Sequence, residues 1–87
     1  MNKLIAHIEK ELSWNEGTAK EVKHPSELDF PKVPKSKDNK FIEYSGMKGS
    51  SIAKDIREVV KSFGAKAVQV SEEDGSNEHY YYIEISK

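Results

Sequence analysis

Hydrophobic residues recur at helical spacing in two segments of the chain. In residues 2–13 they form one apolar stripe, made of Leu4, Ile5, Ile8 and Leu12. The second segment follows Ser50 and Ser51, and its apolar face comprises Ile52, Ala53, Ile56, Val59, Val60 and Phe63. This period is that of an amphipathic helix, so we predict a helix in each segment. We expect Asn2 to cap the first helix and either serine to cap the second, with Gly64 as the left-handed residue that ends it.

Strands are predicted in the remaining segments, where polar and apolar residues alternate. Residues 40–44 form a short β-prone segment, residues 65–71 alternate around two valines, and residues 78–85 form the last strand. Residues 72–77 contain an Asp-Gly pair, which is typical of a hairpin loop. Residues 18–22 fit either a helical extension or a short strand.

Alternation also assigns the side chains of the last strand to two faces. It places Tyr80 and Tyr82 on one face and Tyr81 on the other. If both helices cover the face of Tyr81, the other two tyrosines remain uncovered. We expect the core to contain Ile8, Leu12, Ile56, Val60, Phe63, Val68, Val70 and Ile83.

These elements predict an α+β fold, a two-layer sandwich in which a three-stranded mixed sheet carries two helices on one face. The strand–helix–strand unit makes a right-handed crossover, and the last strand pairs with the second and, in a split arrangement, with the first. All three prolines lie in a Pro- and Lys-rich segment at about residues 23–40, which we expect to be a long surface loop. A length of 87 residues indicates a single domain spanning 1–87.

Composition excludes several classes of function. The chain has no cysteine, which removes disulfide frameworks, thiolate zinc sites and cysteine nucleophiles. It has no apolar run near the ~18 residues that cross a bilayer, and its first residues lack the apolar centre of a signal peptide. We therefore expect a cytoplasmic protein without a membrane partner.

Catalytic and metal-binding patterns are weak. The three histidines, His7, His24 and His79, lie in different predicted elements, and no Gly-x-Ser-x-Gly motif is present. The acidic run Glu72-Glu73-Asp74 lacks the alternating ligands of an EF-hand loop. The sequence therefore favours a non-enzymatic protein without a cofactor.

Charge is distributed unevenly although the net charge is only −1. Residues 32–66 hold nine basic and four acidic residues, whereas residues 67–87 hold one basic and five acidic. A basic face for an anionic partner with an acidic hairpin opposite explains this distribution, and so does a solvated surface with unevenly placed charges.

A glycine- and serine-rich segment, residues 46–51, precedes the second helix. A helix N-terminus after a strand has free N–H groups and a dipole that favours an anion. The segment also differs from a Walker loop, because its lysine precedes the second glycine. A tight turn with a helix cap explains the same residues without a ligand. The candidate residues for binding an anion or a nucleic acid are Gly46, Lys48, Gly49, Ser50, Ser51 and Lys54.

Two partial resemblances involve this half of the chain. The segment Gly46-Met47-Lys48-Gly49 with the following helix and strand resembles a KH module, whose Gly-x-x-Gly loop clamps a nucleic-acid backbone. A KH loop joins two helices, whereas a strand is predicted before Gly46. Residues 46–87 are also similar to a small helix–hairpin domain of polyvalent proteins from phages and mobile elements, a family that implies no particular activity.

The run of three tyrosines is the second candidate site. Exposed tyrosines anchor protein partners or stack on bases, although cross-strand packing also explains them. We expect a small protein-binding accessory or inhibitor protein of the kind that phages and mobile elements encode. Its candidate contact residues are Tyr80, Tyr82, Glu72, Glu73 and Asp74. The alternative is a nucleic-acid-binding module that uses the glycine segment and the basic residues 32–66.

Overall fold

The computed structural model describes residues 1–23, 35–36, 38–47 and 49–86. The elements in chain order are α1 (Asn2–Glu11), a 3₁₀ turn (Ser13–Asn15), β1 (Thr18–Val22), β2 (Lys40–Met47), α2 (Ala53–Ser62), β3 (Ala67–Asp74) and β4 (Glu78–Ile85). Both predicted helices and all three predicted strands are present, and residues 18–22 form a strand. The predicted loop at 23–40 lies for the most part outside the described residues.

The predicted sheet is wrong in its strand number and in its mixed strand directions, whereas the predicted pairing of the last strand with both other predicted strands agrees with the structure. The sheet has four strands in the order β1-β2-β4-β3, and each neighbouring pair is antiparallel. β1 adds a fourth strand beside β2, and β4 lies between β2 and β3. Because β2 and β3 are separated by β4, the strands on either side of the α2 crossover are not neighbours. The described residues therefore form an antiparallel sheet rather than a mixed one.

Both helices pack on the same face of this sheet and share one hydrophobic core with it. The buried core side chains are Leu4, Ile8 and Leu12 from the α1 region, Ile52, Ile56 and Val60 from the α2 region, and Ile42, Tyr44, Tyr81, Ile83 and Ile85 from the sheet. In the part of the chain that is described, neither helix has the length and apolar character needed to cross a membrane.

The helix ends differ in part from the prediction. Met1 and Ile52, rather than Asn2 or a serine, occupy the cap positions of α1 and α2. The hydroxyl of Tyr81 accepts a hydrogen bond from the backbone N–H of Ile52 at 3.0 Å, so a core tyrosine satisfies a donor where α2 begins. Gly64 follows α2 with φ of 96°, as predicted.

The predicted core is wrong at Phe63, which is 42% exposed. The ring lies one residue past the last residue of α2 and contacts His7 of α1, with ring centroids 5.3 Å apart. Only part of the ring is covered there. Val68 and Val70 are partly buried, and Val70 packs against the core.

Candidate functional site

The sheet face opposite the helices carries two of the three consecutive tyrosines, and we name it the tyrosine face. The strand register arranges its side chains in rows across the sheet. One row is Lys20, Glu43, Tyr82 and Ser71, and the next is Thr18, Ser45, Tyr80 and Glu73. Met47 and Glu78 are paired in a further row beyond Tyr80. Tyr81 points to the opposite face and is buried, as alternation predicts.

The tyrosine face keeps apolar surface exposed in the rows of its two tyrosines. Tyr80 and Tyr82 are each partly buried, and Met47 in the adjoining row is 50% exposed. The ring of Tyr80 lies close above Gly75 in the hairpin, where an added Cβ would be 2.7 Å from ring carbon Cε2. This packing restricts the rotation of the Tyr80 ring. Sequence reasoning missed Met47 because it ended this strand at residue 44.

The surroundings of the two tyrosines are acidic. Burial raises the pKa of the Tyr82 hydroxyl, and the nearby charges of Glu43 and Glu73 raise it further. Lys20 lies 3.7 Å from Glu43, Nζ to Oε1, but its exposed side chain makes this a weak ion pair. The tyrosine face therefore combines aromatic surface with negative charge. Glu43 was not among the predicted site residues, because its place in this row depends on the register between β2 and β4, which the sequence does not give.

The three predicted acidic residues do not lie together. Glu73 is on the tyrosine face beside Tyr80. Glu72 and Asp74 are on the helix-bearing face, where His79 Nε2 is 3.0 Å from Glu72 and His79 Nδ1 is 3.4 Å from Asp74. The sequence placed all three in a hairpin loop, but β3 continues to Asp74, and a strand directs neighbouring residues to opposite faces.

A buried carboxylate lies at the far end of the tyrosine face. Glu84 is completely buried and accepts hydrogen bonds from the backbone N–H groups of Lys35 and Ser36 and from the side-chain amides of Asn39 and Gln69. Burial raises the pKa of this carboxyl, but these hydrogen bonds and the charge of Lys35 outweigh it, so the pKa is lower than usual. The carboxylate therefore attaches Lys35, Ser36 and Asn39, which precede β2, to the sheet.

The structure separates Gly46 from the other predicted anion-binding residues that it describes. Gly46 is buried within β2, and the side-chain amide of Asn15 lies where its Cβ would be. Gly49, Ser50 and Ser51 are exposed, and Lys48 lies outside the described residues. Lys54 is exposed in the first turn of α2, next to the acidic Asp55. Gly46 thus has a packing role, and it does not share an exposed surface with the two serines.

Three basic residues meet at a different place. Arg57, Lys61 and Lys66 are the charged residues lining a cleft of about 460 Å³ beside the start of β3, together with Ala65 and Ala67. The guanidinium of Arg57 donates a hydrogen bond to the carbonyl of Ala67 at 3.0 Å, which fixes its position. These residues belong to the basic segment of the sequence, but α2 and the turn after it bring them together.

One pair of residues has the composition of a catalytic dyad. His7 Nε2 lies 2.9 Å from Ser62 Oγ. The hydroxyl of Ser62 donates its proton to the carbonyl of Val59 at 2.7 Å, so the oxygen accepts from the imidazole. That arrangement links α1 to α2 and does not activate the serine. Among the described residues, no group of three or more histidine and acidic side chains has the arrangement of a metal site. His24 lies outside those residues.

Comparison with protein families, with characterised proteins and with solved structures finds no match to this chain.

Proposed function

We propose that this chain is a small non-enzymatic accessory or inhibitor protein that binds a partner protein through its tyrosine face and acts in the cytoplasm. The observation that carries the proposal is the exposed side chain of Met47 next to the partly exposed rings of Tyr80 and Tyr82, in neighbouring rows on the face opposite both helices. Tyrosine and methionine are enriched at protein interfaces, and tyrosine is frequent among the residues that dominate affinity.

The charge of this surface indicates the kind of partner. Glu43, Glu73 and Glu78 surround the tyrosines, and Lys20 is the one basic residue in the described rows. A partner with a basic contact surface complements this charge, and electrostatic complementarity mainly increases the association rate and the specificity. The partner protein is therefore expected to be basic where it contacts the tyrosine face.

Photo-crosslinking from the tyrosine face identifies the partner and tests the proposal. A photoreactive phenylalanine analogue replaces Tyr80 in one variant and exposed Lys10 of α1 in the control. We expect crosslinks to one partner from position 80 and not from position 10. Once the partner is identified, Tyr80→Ala with Tyr82→Ala should weaken binding about thirtyfold or more. Equal crosslinking from both positions would contradict the proposal.

A charge-reversal variant keeps the test valid if removing two tyrosines affects folding. Glu43→Lys with Glu73→Lys retains both rings and reverses the charge around them. We expect weaker binding to the same partner and a changed dependence on salt. Unchanged affinity in a folded charge-reversal variant, together with unchanged affinity in the tyrosine variant, would place the interface elsewhere.

The second candidate function is nucleic-acid binding, and the cleft lined by Arg57, Lys61 and Lys66 is the observation that favours it. Polyanions bind basic surfaces with an affinity that falls steeply with salt. The test is a titration with single-stranded RNA at about 50 mM salt, where non-specific binding is still strong. Binding that is lost in Lys61→Glu and retained in the tyrosine variant would establish the second function in place of the first.

A further inference from the structure

The single tryptophan of the chain is held on the surface by two buried residues close to it in the sequence. Leu12, two residues before it, is 2% exposed and Asn15, directly after it, is 5% exposed, whereas Trp14 itself is 57% exposed. Asn15 donates a side-chain hydrogen bond to the buried hydroxyl of Tyr44 at 3.1 Å, and its backbone N–H bonds the carbonyl of Leu12 at 2.9 Å. With Leu12 and Asn15 directed inward, the short 3₁₀ turn has to direct the indole outward.

The residue that follows this turn also has an uncommon backbone conformation. Glu16 has φ of 50°, in the left-handed region that residues other than glycine rarely adopt. The next residue is Gly17, where a Cβ would collide with the ring and hydroxyl of Tyr44. The turn is therefore fixed by packing at both ends, so the backbone that carries the exposed indole loses little conformational freedom when a ligand binds.

Trp14 borders a groove of about 290 Å³ between the two helices. Leu12 and Val59 supply its apolar lining, and Ser62 lies at the same groove. The contact of His7 with Ser62 ties the two helices together, so the groove is already formed. Its charged lining residues are all acidic, namely Glu11, Asp55 and Glu58.

The charged residues that line this groove and the basic cleft lie on different sides of α2. At about 100° per residue, Asp55 and Glu58 fall on the side that faces α1, and Arg57 and Lys61 fall on the side that faces β3. The lining residues of the two grooves agree with this division. Arg57 and Lys61 therefore line a separate cleft, and the charged side chains that line the α1–α2 groove are acidic.

We propose that the groove between α1 and α2 binds an arginine-bearing segment of a partner protein, with Trp14 as its aromatic anchor. A guanidinium stacks on an indole more favourably than on the other aromatic rings and pairs with carboxylates. Glu11, Asp55 and Glu58 supply those carboxylates around an apolar floor. This site is separate from the tyrosine face, on the other side of the sheet, and does not depend on the function proposed there.

Fluorescence measures binding at this groove directly, because Trp14 is the only tryptophan in the chain. The probe is a hexa-arginine peptide, with hexa-lysine and hexa-glutamate peptides as controls. We expect a saturable change in Trp14 emission with hexa-arginine, a weaker one with hexa-lysine and none with hexa-glutamate. Glu58→Lys should weaken the affinity for hexa-arginine about tenfold or more by placing like charges together.

The matched control is Glu21→Lys, which makes the same change of charge at an exposed acidic residue of β1 that lines neither the α1–α2 groove nor the tyrosine face. It should leave the affinity within about twofold of the parent protein, as expected for a distant exposed charge. Circular dichroism verifies that both variants are folded. Equal effects of the two variants, no saturable change with hexa-arginine, or an equal response to hexa-lysine would overturn the proposal.

Discussion

The carboxylate of Glu84 accepts the backbone N–H of Lys35 with both of its oxygens, at 3.0 and 2.8 Å, although the two residues are 49 positions apart in the sequence. Ser36 and Asn39 add hydrogen bonds to the same carboxylate. A charge that is completely buried is stable only when such donors surround it. Glu84 therefore joins the last strand to the segment that leads into β2.

Acid should destabilise the protein through Glu84. Its pKa in the folded state is below the ordinary value of 4.5, so the ionised form stabilises the fold above that value. This contribution is lost as the pH falls through the folded-state pKa. Urea unfolding from pH 7 down to about pH 3 should show a fall in the free energy of unfolding. Glu84→Gln should cost about 2 kcal/mol at pH 7 and show a smaller fall in acid. If the free energy of unfolding depended on pH in the same way in the parent protein and in Glu84→Gln, this role would be contradicted.

The hydroxyl of Tyr81 should stabilise the start of α2. Tyr81→Phe keeps the ring in the core and removes the acceptor that bonds the N–H of Ile52. Leaving that buried donor without its partner should cost about 1–3 kcal/mol in chemical denaturation. Amide hydrogen exchange should become faster at Ile52. Tyr82→Phe is the control, since the hydroxyl of Tyr82 lies on the opposite face and makes no contact with this helix end. A loss of stability confined to the control would refute the assignment.

Two glycines of the predicted anion-binding segment should respond differently to the same substitution. An added Cβ at Gly46 would collide with the amide of Asn15, whereas at Gly49 it would meet no atom within 4 Å. Gly46→Ala should therefore destabilise the fold by about 1–3 kcal/mol, as overpacking does. Gly49→Ala should change stability by less than about 0.5 kcal/mol, as surface substitutions usually do. Thermal unfolding of both variants measures the difference, and equal stability would show that the Gly46 site has room.

Phe63 should contribute far less to stability than the apolar residues inside the core. Because the ring of Phe63 is only partly covered, removing it in Phe63→Ala leaves no buried cavity. We expect the free energy of unfolding to fall by no more than about 1 kcal/mol. Ile56→Ala leaves a cavity at a completely buried position and should cost about 2–5 kcal/mol. Chemical denaturation of the two variants tests the comparison. A larger loss in Phe63→Ala than in Ile56→Ala would mean that the ring is packed in solution.

The periodicity of the sequence was enough to place the helices and most strands, because an apolar stripe has to face the core. It was also enough to put Tyr81 on the face opposite Tyr80 and Tyr82. The crossover and hairpin pattern also predicted that β4 pairs with both β2 and β3, but period-two alternation did not show that residues 18–22 add a fourth strand beside β2. Alternation does not give the register either, and this concealed Glu43, which lies opposite Tyr82 only in the observed register.

The burial or exposure of individual apolar residues was the least predictable feature of the chain. Phe63 continues the apolar stripe of α2, yet it lies past the end of the helix and is partly exposed. The outward position of Trp14 follows from the buried hydrogen bond of Asn15 with Tyr44, two residues from different elements. Such long-range contacts have no local signature in the sequence.

The position of β4 has a consequence for synthesis of the protein. The last strand of the chain pairs with β2 on one side and β3 on the other, so the centre of the sheet is made last. A nascent chain that has emerged only as far as residue 77 lacks β4, the strand that pairs with both β2 and β3 in the finished sheet. Cooperative folding must therefore wait until residues 78–85 leave the ribosome, and truncation within these residues leaves edges that promote aggregation.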